Sequence, residues 1–208
     1  MILTPIAREQ LDGALDRFAA QLSAPGARAA FARIRATSPE RAAGAQAEEH
    51  RREALVFAGR YGVPVHPPDA DPAFNWDGAA LDGDTEAYVI LHEVAHFALT
   101  PPERRGLVDF GLGPGPDTRE RAVAERAVAL PFLEREAEEA EASLLGILWE
   151  AALGQPALAS FLDQNWLEGL ERSAAAHFTA VFRRLQARGL ADAALSAESA
   201  AQPAREIR

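Results

Sequence analysis

The run His92-Glu93-Val94-Ala95-His96 sets two imidazoles four residues apart. In a helix that spacing puts both rings on one face, where they can bind a single metal ion. Two histidines do not complete a site, and a carboxylate from another helix is the usual third ligand in this arrangement. The acidic run Glu134, Glu136, Glu138, Glu139 and Glu141 supplies candidates. Glu136 shares a helix face with Ala140 and Ile147. Glu139 shares one with Ser143 and Gly146, whose small side chains allow close approach to the histidine helix. Glu139 is therefore the preferred ligand and Glu136 the alternative.

Two chemistries follow from such a donor set. With Zn2+, a bound water of lowered pKa would be activated by Glu93 as general base, the arrangement of a metallopeptidase. With Fe(II), two histidines and one carboxylate leave positions open for dioxygen and substrate, the arrangement of non-haem oxygenases. The motif alone does not choose between them. A third reading is non-catalytic: a helical interaction module whose metal only stabilises the fold. In the blandest case the histidines are hydrogen-bonded core residues and Glu93 pairs with an arginine, but burying two imidazoles and a carboxylate without partners is costly.

The elements that must position these groups are mostly helical. The 208 residues suit one well-buried domain with appendages. Alanine, glutamate, leucine and arginine abound, and all favour helix. Apolar spacing predicts helices over Ala7–Leu22 and Ala27–Ile34, and Ser38-Pro39 reads as the opening of a third that runs to Arg60. The proline- and aspartate-rich stretch 63–84 reads as loop with one short strand at most. Asp84 or Thr85 can cap the histidine helix, which ends before Pro101-Pro102 and is apolar on nearly every side, hence central. Helix resumes near Asp117 or Thr118, then over Phe132–Leu153, Ala157–Phe161 and Leu170–Gln186. The fold expected is mainly α, α+β at most: packed helices around a central histidine helix with a small sheet or none. Residues 1–60 form a helical extension packed on the core, 61–190 the metal-binding catalytic domain, and 191–208 a weakly ordered tail.

Charge and composition exclude several classes. A net charge of −10 and a pI near 5.0 leave no basic surplus for a nucleic acid backbone, whereas a cationic substrate is favoured. The absence of cysteine removes disulfides, thiol nucleophiles and iron–sulfur clusters. No signal peptide or membrane span is read, and a cytoplasmic location is expected.

Downstream of the histidines, Arg105-Gly106-Leu107-Val108-Asp109-Phe110-Gly111 and then Pro116-Asp117-Thr118-Arg119 follow at spacings that resemble the elongation factor P hydroxylase family. That family shows H-E-[IV]-[SA]-H-[WF], R-x-L-V-D-F-G and P-D-x-R in the same register. The likeness extends loosely through Glu136–Gly154 to Asn165-Trp166-Leu167-Glu168-Gly169, about half of the chain. It implies a non-haem iron enzyme that hydroxylates a modified lysine of elongation factor P, with His92 and His96 as ligands. Glu93 matches the motif glutamate and Asp109 the aspartate of V-D-F-G. Between Arg119 and Gly154 the chain is longer than the family pattern, so the alignment admits either Glu136 or Glu139 as third ligand.

Roles further out are expectations. Asp109 would accept a hydrogen bond from a ligand histidine, or else serve as a turn residue bonding its own backbone. Tyr88, one turn before His92, faces the metal side. Arg104, Arg105 and Arg119 tie loops to acidic helices, and His66 and His177 are more often surface or core residues than ligands.

Overall fold

The computed structural model describes residues 6–115, 118–168 and 173–195. Among them the chain forms helices α1 (Arg8–Gln21), α2 (Pro25–Arg35), α3 (Ala45–Arg60), α4 (Ala87–Leu99), α5 (Arg121–Arg126), α6 (Phe132–Ala152), α7 (Ala157–Asp163), α8 (Ala174–Ala187) and α9 (Leu190–Leu195). The fold is mainly α, and among the described residues there is no sheet: pairing is limited to isolated bridges of Val65 and Trp76 with Leu81. No helix of the described residues is long and apolar enough to cross a membrane.

Helix α4 lies at the centre, packed against α6 and α3. It has no side-chain N-cap. Its stability comes from packing, since Val89, Ile90, Leu91, Val94, Ala95 and Leu99 are all buried. Around it, Phe18 of α1 and Phe31 of α2 meet Phe161 of α7 and Phe178 of α8 with ring centroids 4.7 to 6.3 Å apart. Each such ring contributes roughly 1.5–3 kcal/mol by leaving water. Residues 6–60, expected as an extension, thus share this core directly.

Three boundaries differ from expectation. The helix read from Ser38 begins only at Ala45: Ser38 Oγ turns back to the backbone N–H of Glu40 at 3.0 Å, and Gly44 sits at φ 56. The stretch 38–44 is therefore loop, which frees Arg41 to reach across the molecule. The helix expected from Asp117 or Thr118 begins at Arg121. Part of the tail read as weakly ordered, Leu190–Leu195, is helical, with Ala191 and Ala194 buried against α6 and α8; residues 196–208 lie outside the described residues.

Helix α6 ends where Gly154 takes a left-handed conformation, φ 72, and the Gln155 N–H closes onto the Glu150 carbonyl at 2.9 Å. Its approach to α4 is set by Gly146. A Cβ there would lie 3.2 Å from His92 Cα and 3.3 Å from His92 N. That is tighter than most Cβ contacts, so a side chain here would press the helices apart by a few tenths of an ångström.

Candidate metal centre

Helix α4 presents His92 and His96 one turn apart on the face turned toward α6, and α6 returns Glu139. The two Nε2 atoms are 3.0 Å apart, and Glu139 offers Oε1 to His92 and Oε2 to His96, each at 3.2 Å. Three lone-pair donors that close call for positive charge among them. Metal–ligand bonds of about 2.0–2.2 Å at tetrahedral to octahedral angles place donors about 2.9–3.5 Å apart. The donor set therefore fits one ion.

Electrostatics agree with that fit. Burial alone would lower the pKa of His92, but the carboxylate of Glu139 raises it to about 9. Burial would raise that of Glu139, yet the charges and hydrogen bonds of His92 and His96 hold it well below the usual carboxylate range. Glu136, the alternative ligand, is exposed and joins no such group.

Neighbouring contacts hold α6 in register. Glu138 accepts from Thr100 Oγ1 at 3.1 Å and forms a salt bridge with the buried Arg104. Arg104 also donates to the carbonyl of Phe110 at 2.8 Å. One guanidinium thus ties the acidic helix to the segment after the histidines. Arg105 instead stacks on Phe97, 4.2 Å from the ring centre, and Arg119 pairs with Asp71 in the long loop. Neither reaches an acidic helix, contrary to expectation: Arg105 is held by Phe97 and the Thr100 carbonyl, Arg119 by Asp71 and the Pro72 carbonyl.

The stretch Val108–Gly111 makes a left-handed turn, with φ of 45, 53 and 71 at Asp109, Phe110 and Gly111. For the two residues that carry a Cβ this costs roughly 1–2 kcal/mol each. The turn lays Phe110 between Trp76 and His96: centroids 5.1 Å apart and planes at 6° on one side, 5.5 Å and 25° on the other. Trp76 is anchored in turn by its Nε1–H to the Arg105 carbonyl, 2.8 Å. This aromatic stack sets the plane of the His96 ring.

Asp109 does not receive the hydrogen bond expected from a ligand histidine. Its carboxylate accepts from Thr118 Oγ1 at 2.9 Å, and His96 Nδ1 is buried without a partner among the described residues. The left-handed backbone of Asp109 directs its side chain to Thr118. Burial pushes the Asp109 carboxyl up to about 6, opposed by the Thr118 bond. Burial also raises Glu93, against the pull of His96 and His92 and of a hydrogen bond from Asn75.

A cavity of about 420 Å³ opens onto the three donors, with Glu93, Asp109, Tyr88 and Asn75 in its wall. Among the described residues four carboxylates line it, Glu93, Asp109, Glu139 and Asp163, against one guanidinium, Arg41. Arg41 lies over the Tyr88 ring, 3.7 Å from its centre, and binds Asp163 and Ser160 of α7. His66 pairs with Asp77 at 2.8 Å and His177 stacks on Trp166, and neither lines the cavity.

Asn75, Arg41, Thr118 and Asp163 were not anticipated. Asn75 sits in the loop 63–84, whose length is the one signal that pointed there. Pro116 and Asp117 of the third sequence block lie outside the described residues. Comparison with family models, with curated proteins and with solved structures finds no match for this chain.

Proposed function

We propose that the protein is a metal-dependent hydroxylase of a protein side chain, with Fe(II) held by His92, His96 and Glu139. The observation that carries this reading is the convergence of two imidazoles and one carboxylate at a cavity wall, leaving one side of the donor set to the cavity. A ferrous ion there supplies dioxygen activation. The chain's own residues do the rest. The acidic lining attracts a cationic side chain, and the likeness to elongation factor P hydroxylases makes a modified lysine of elongation factor P the substrate to test first. Phe110 and Trp76 hold the His96 ring. Asp109 and Glu93, both raised by burial, attract the cation while ionised and can each take up a proton at a carboxyl oxygen beside the reacting group.

Protein loaded with Fe(II) anaerobically, then given air, a reductant and elongation factor P, is expected to add one oxygen atom to the substrate by mass spectrometry. A protein that takes up only zinc and gives no oxygen-dependent mass gain refutes this reading.

The position of Glu93 supports a second reading, a zinc peptidase in which that carboxylate activates water. It requires peptide cleavage without oxygen that disappears in Glu93→Gln while the metal stays bound.

A further inference from the structure

Beside the metal cavity lies a second one, of about 510 Å³. The two share Arg41, Tyr88 and Asp163 in their walls, but the second contains none of the three metal donors. Its lining is acidic. The arginines that face it are already engaged: Arg51 with Glu48 at 2.6 Å and Asp84 at 3.3 Å, Arg41 with Asp163 at 2.9 Å, with Ser160 and with the Tyr88 ring.

Two buried groups in this wall are under-compensated, one an unpaired acceptor and the other a carboxylate with only a long ion pair. Glu150 is 2% exposed; it accepts a hydrogen bond from Ser160, and its ion pair with Arg41 Nη1 is long, 3.7 Å, because that nitrogen donates to Ser160 Oγ. Burial pushes the Glu150 carboxyl up to about 7, the sign of a charge not fully compensated. Gln155 is 1% exposed, and its Oε1 has no hydrogen-bond partner among the described residues. The amide cannot be turned round to cure this. Its Nε2 donates to Glu53 Oε2 at 3.0 Å and to the His50 carbonyl at 3.2 Å, both acceptors. A buried acceptor left unpaired costs about 1–3 kcal/mol. The closing turn of α6 sets these two residues together.

We propose that this second cavity is a binding site for an alkylammonium ion, with Glu150 as counter-ion and Gln155 Oε1 as hydrogen-bond acceptor. An ammonium carries three donors, no acceptor and one positive charge, which is what the wall lacks. Ala42, Ala47, Ala87 and Pro156 give its alkyl stem an apolar surface. Glu86 adds a further negative charge at the same wall. The ammonium can come from a free diamine or from a lysine side chain on a peptide. The site does not depend on a metal being bound next door.

The test uses the full chain stripped of metal with a chelator, so its outcome is independent of the hydroxylase reading. Butylammonium and its neutral counterpart butanol are titrated by calorimetry and by NMR, into wild type and into Glu150→Gln. Butylammonium is expected to bind saturably, at least about tenfold more weakly in E150Q, while butanol does not saturate. In the wild type, the signals that move are expected to be those of Gln155, Ala47 and Ala87. Titration with 1,4-diaminobutane and with a lysine-containing peptide then separates the two sources by which binds tighter. Butanol binding as well as the cation, E150Q binding as well as wild type, or shifts confined to His92 and Glu139 would overturn the proposal.

Discussion

The ring of Phe110 lies against the imidazole of His96, centroids 5.5 Å apart and planes 25° from parallel. Because Phe110 is itself pressed on Trp76, the ligand ring is held from behind by packing, where a hydrogen bond to Nδ1 would be the commoner device. Phe110→Ala is therefore expected to lose about 3–5 kcal/mol of stability. Its metal affinity should fall about 10–100-fold, the range seen when a ligand's support is removed. Denaturant unfolding and competitive metal titration measure the two effects; a variant with wild-type metal affinity would show that the stack does not orient His96.

Glu139 and Glu136 stand three residues apart on α6, yet only Glu139 meets the histidines. Glu139→Gln should weaken metal binding by more than about a hundredfold, beyond the effect of losing a supporting contact. Glu136→Gln should leave it unchanged. Metal at about a hundred times its dissociation constant should stabilise wild type by about 2.7 kcal/mol and Glu139→Gln by far less, read as the difference in denaturant midpoint with and without chelator.

The methyl group added by Gly146→Ala would lie 3.2 Å from the His92 Cα, so the helices must part by a few tenths of an ångström to take it. Alanine favours helix over glycine by about 1 kcal/mol, while overpacking costs about 1–3 kcal/mol. The net expectation is a loss of stability together with weaker metal binding, since Glu139 moves away with its helix. A stabilised variant with unchanged affinity would mean that α4 and α6 can part freely.

Glu150 is an acid whose pKa in the folded chain, about 7, lies above its ordinary 4.5. The folded state holds its proton more tightly, so the stability this one group contributes is fully present below about pH 4.5 and is lost as pH rises through about 7. The loss is on the order of 3 kcal/mol at most. Glu150→Gln removes it, so its stability relative to wild type should rise steadily between about pH 4 and about pH 8 in amine-free buffer. Parallel pH profiles for the two proteins would contradict this.

The histidine pair was readable in advance because helix geometry alone puts residues four apart on one face. Glu139 was preferred to Glu136 by the same reasoning applied to its neighbours, Ser143 and Gly146, and the close approach at Gly146 is the physical counterpart. Arg41 was not readable. Ser38-Pro39 has the chemistry of a helix start, but a local turn at Ser38 and the left-handed Gly44 keep residues 38–44 out of helix. The partners that give Arg41 its place, Ser160 and Asp163, lie about 120 positions along the chain, beyond the reach of any local pattern. The Asp109 contact was misjudged for a similar reason. Its direction depends on a positive φ that nothing in Val108-Asp109-Phe110 announces for residues bearing a Cβ.

The side chain of Glu139 is 54% exposed, while those of His92 and His96 are 20% and 4% exposed. A cation arriving from solvent would therefore meet the carboxylate before the nitrogens beneath it. Of the three donors Glu139 is thus the one whose movement would open or close the group to solvent.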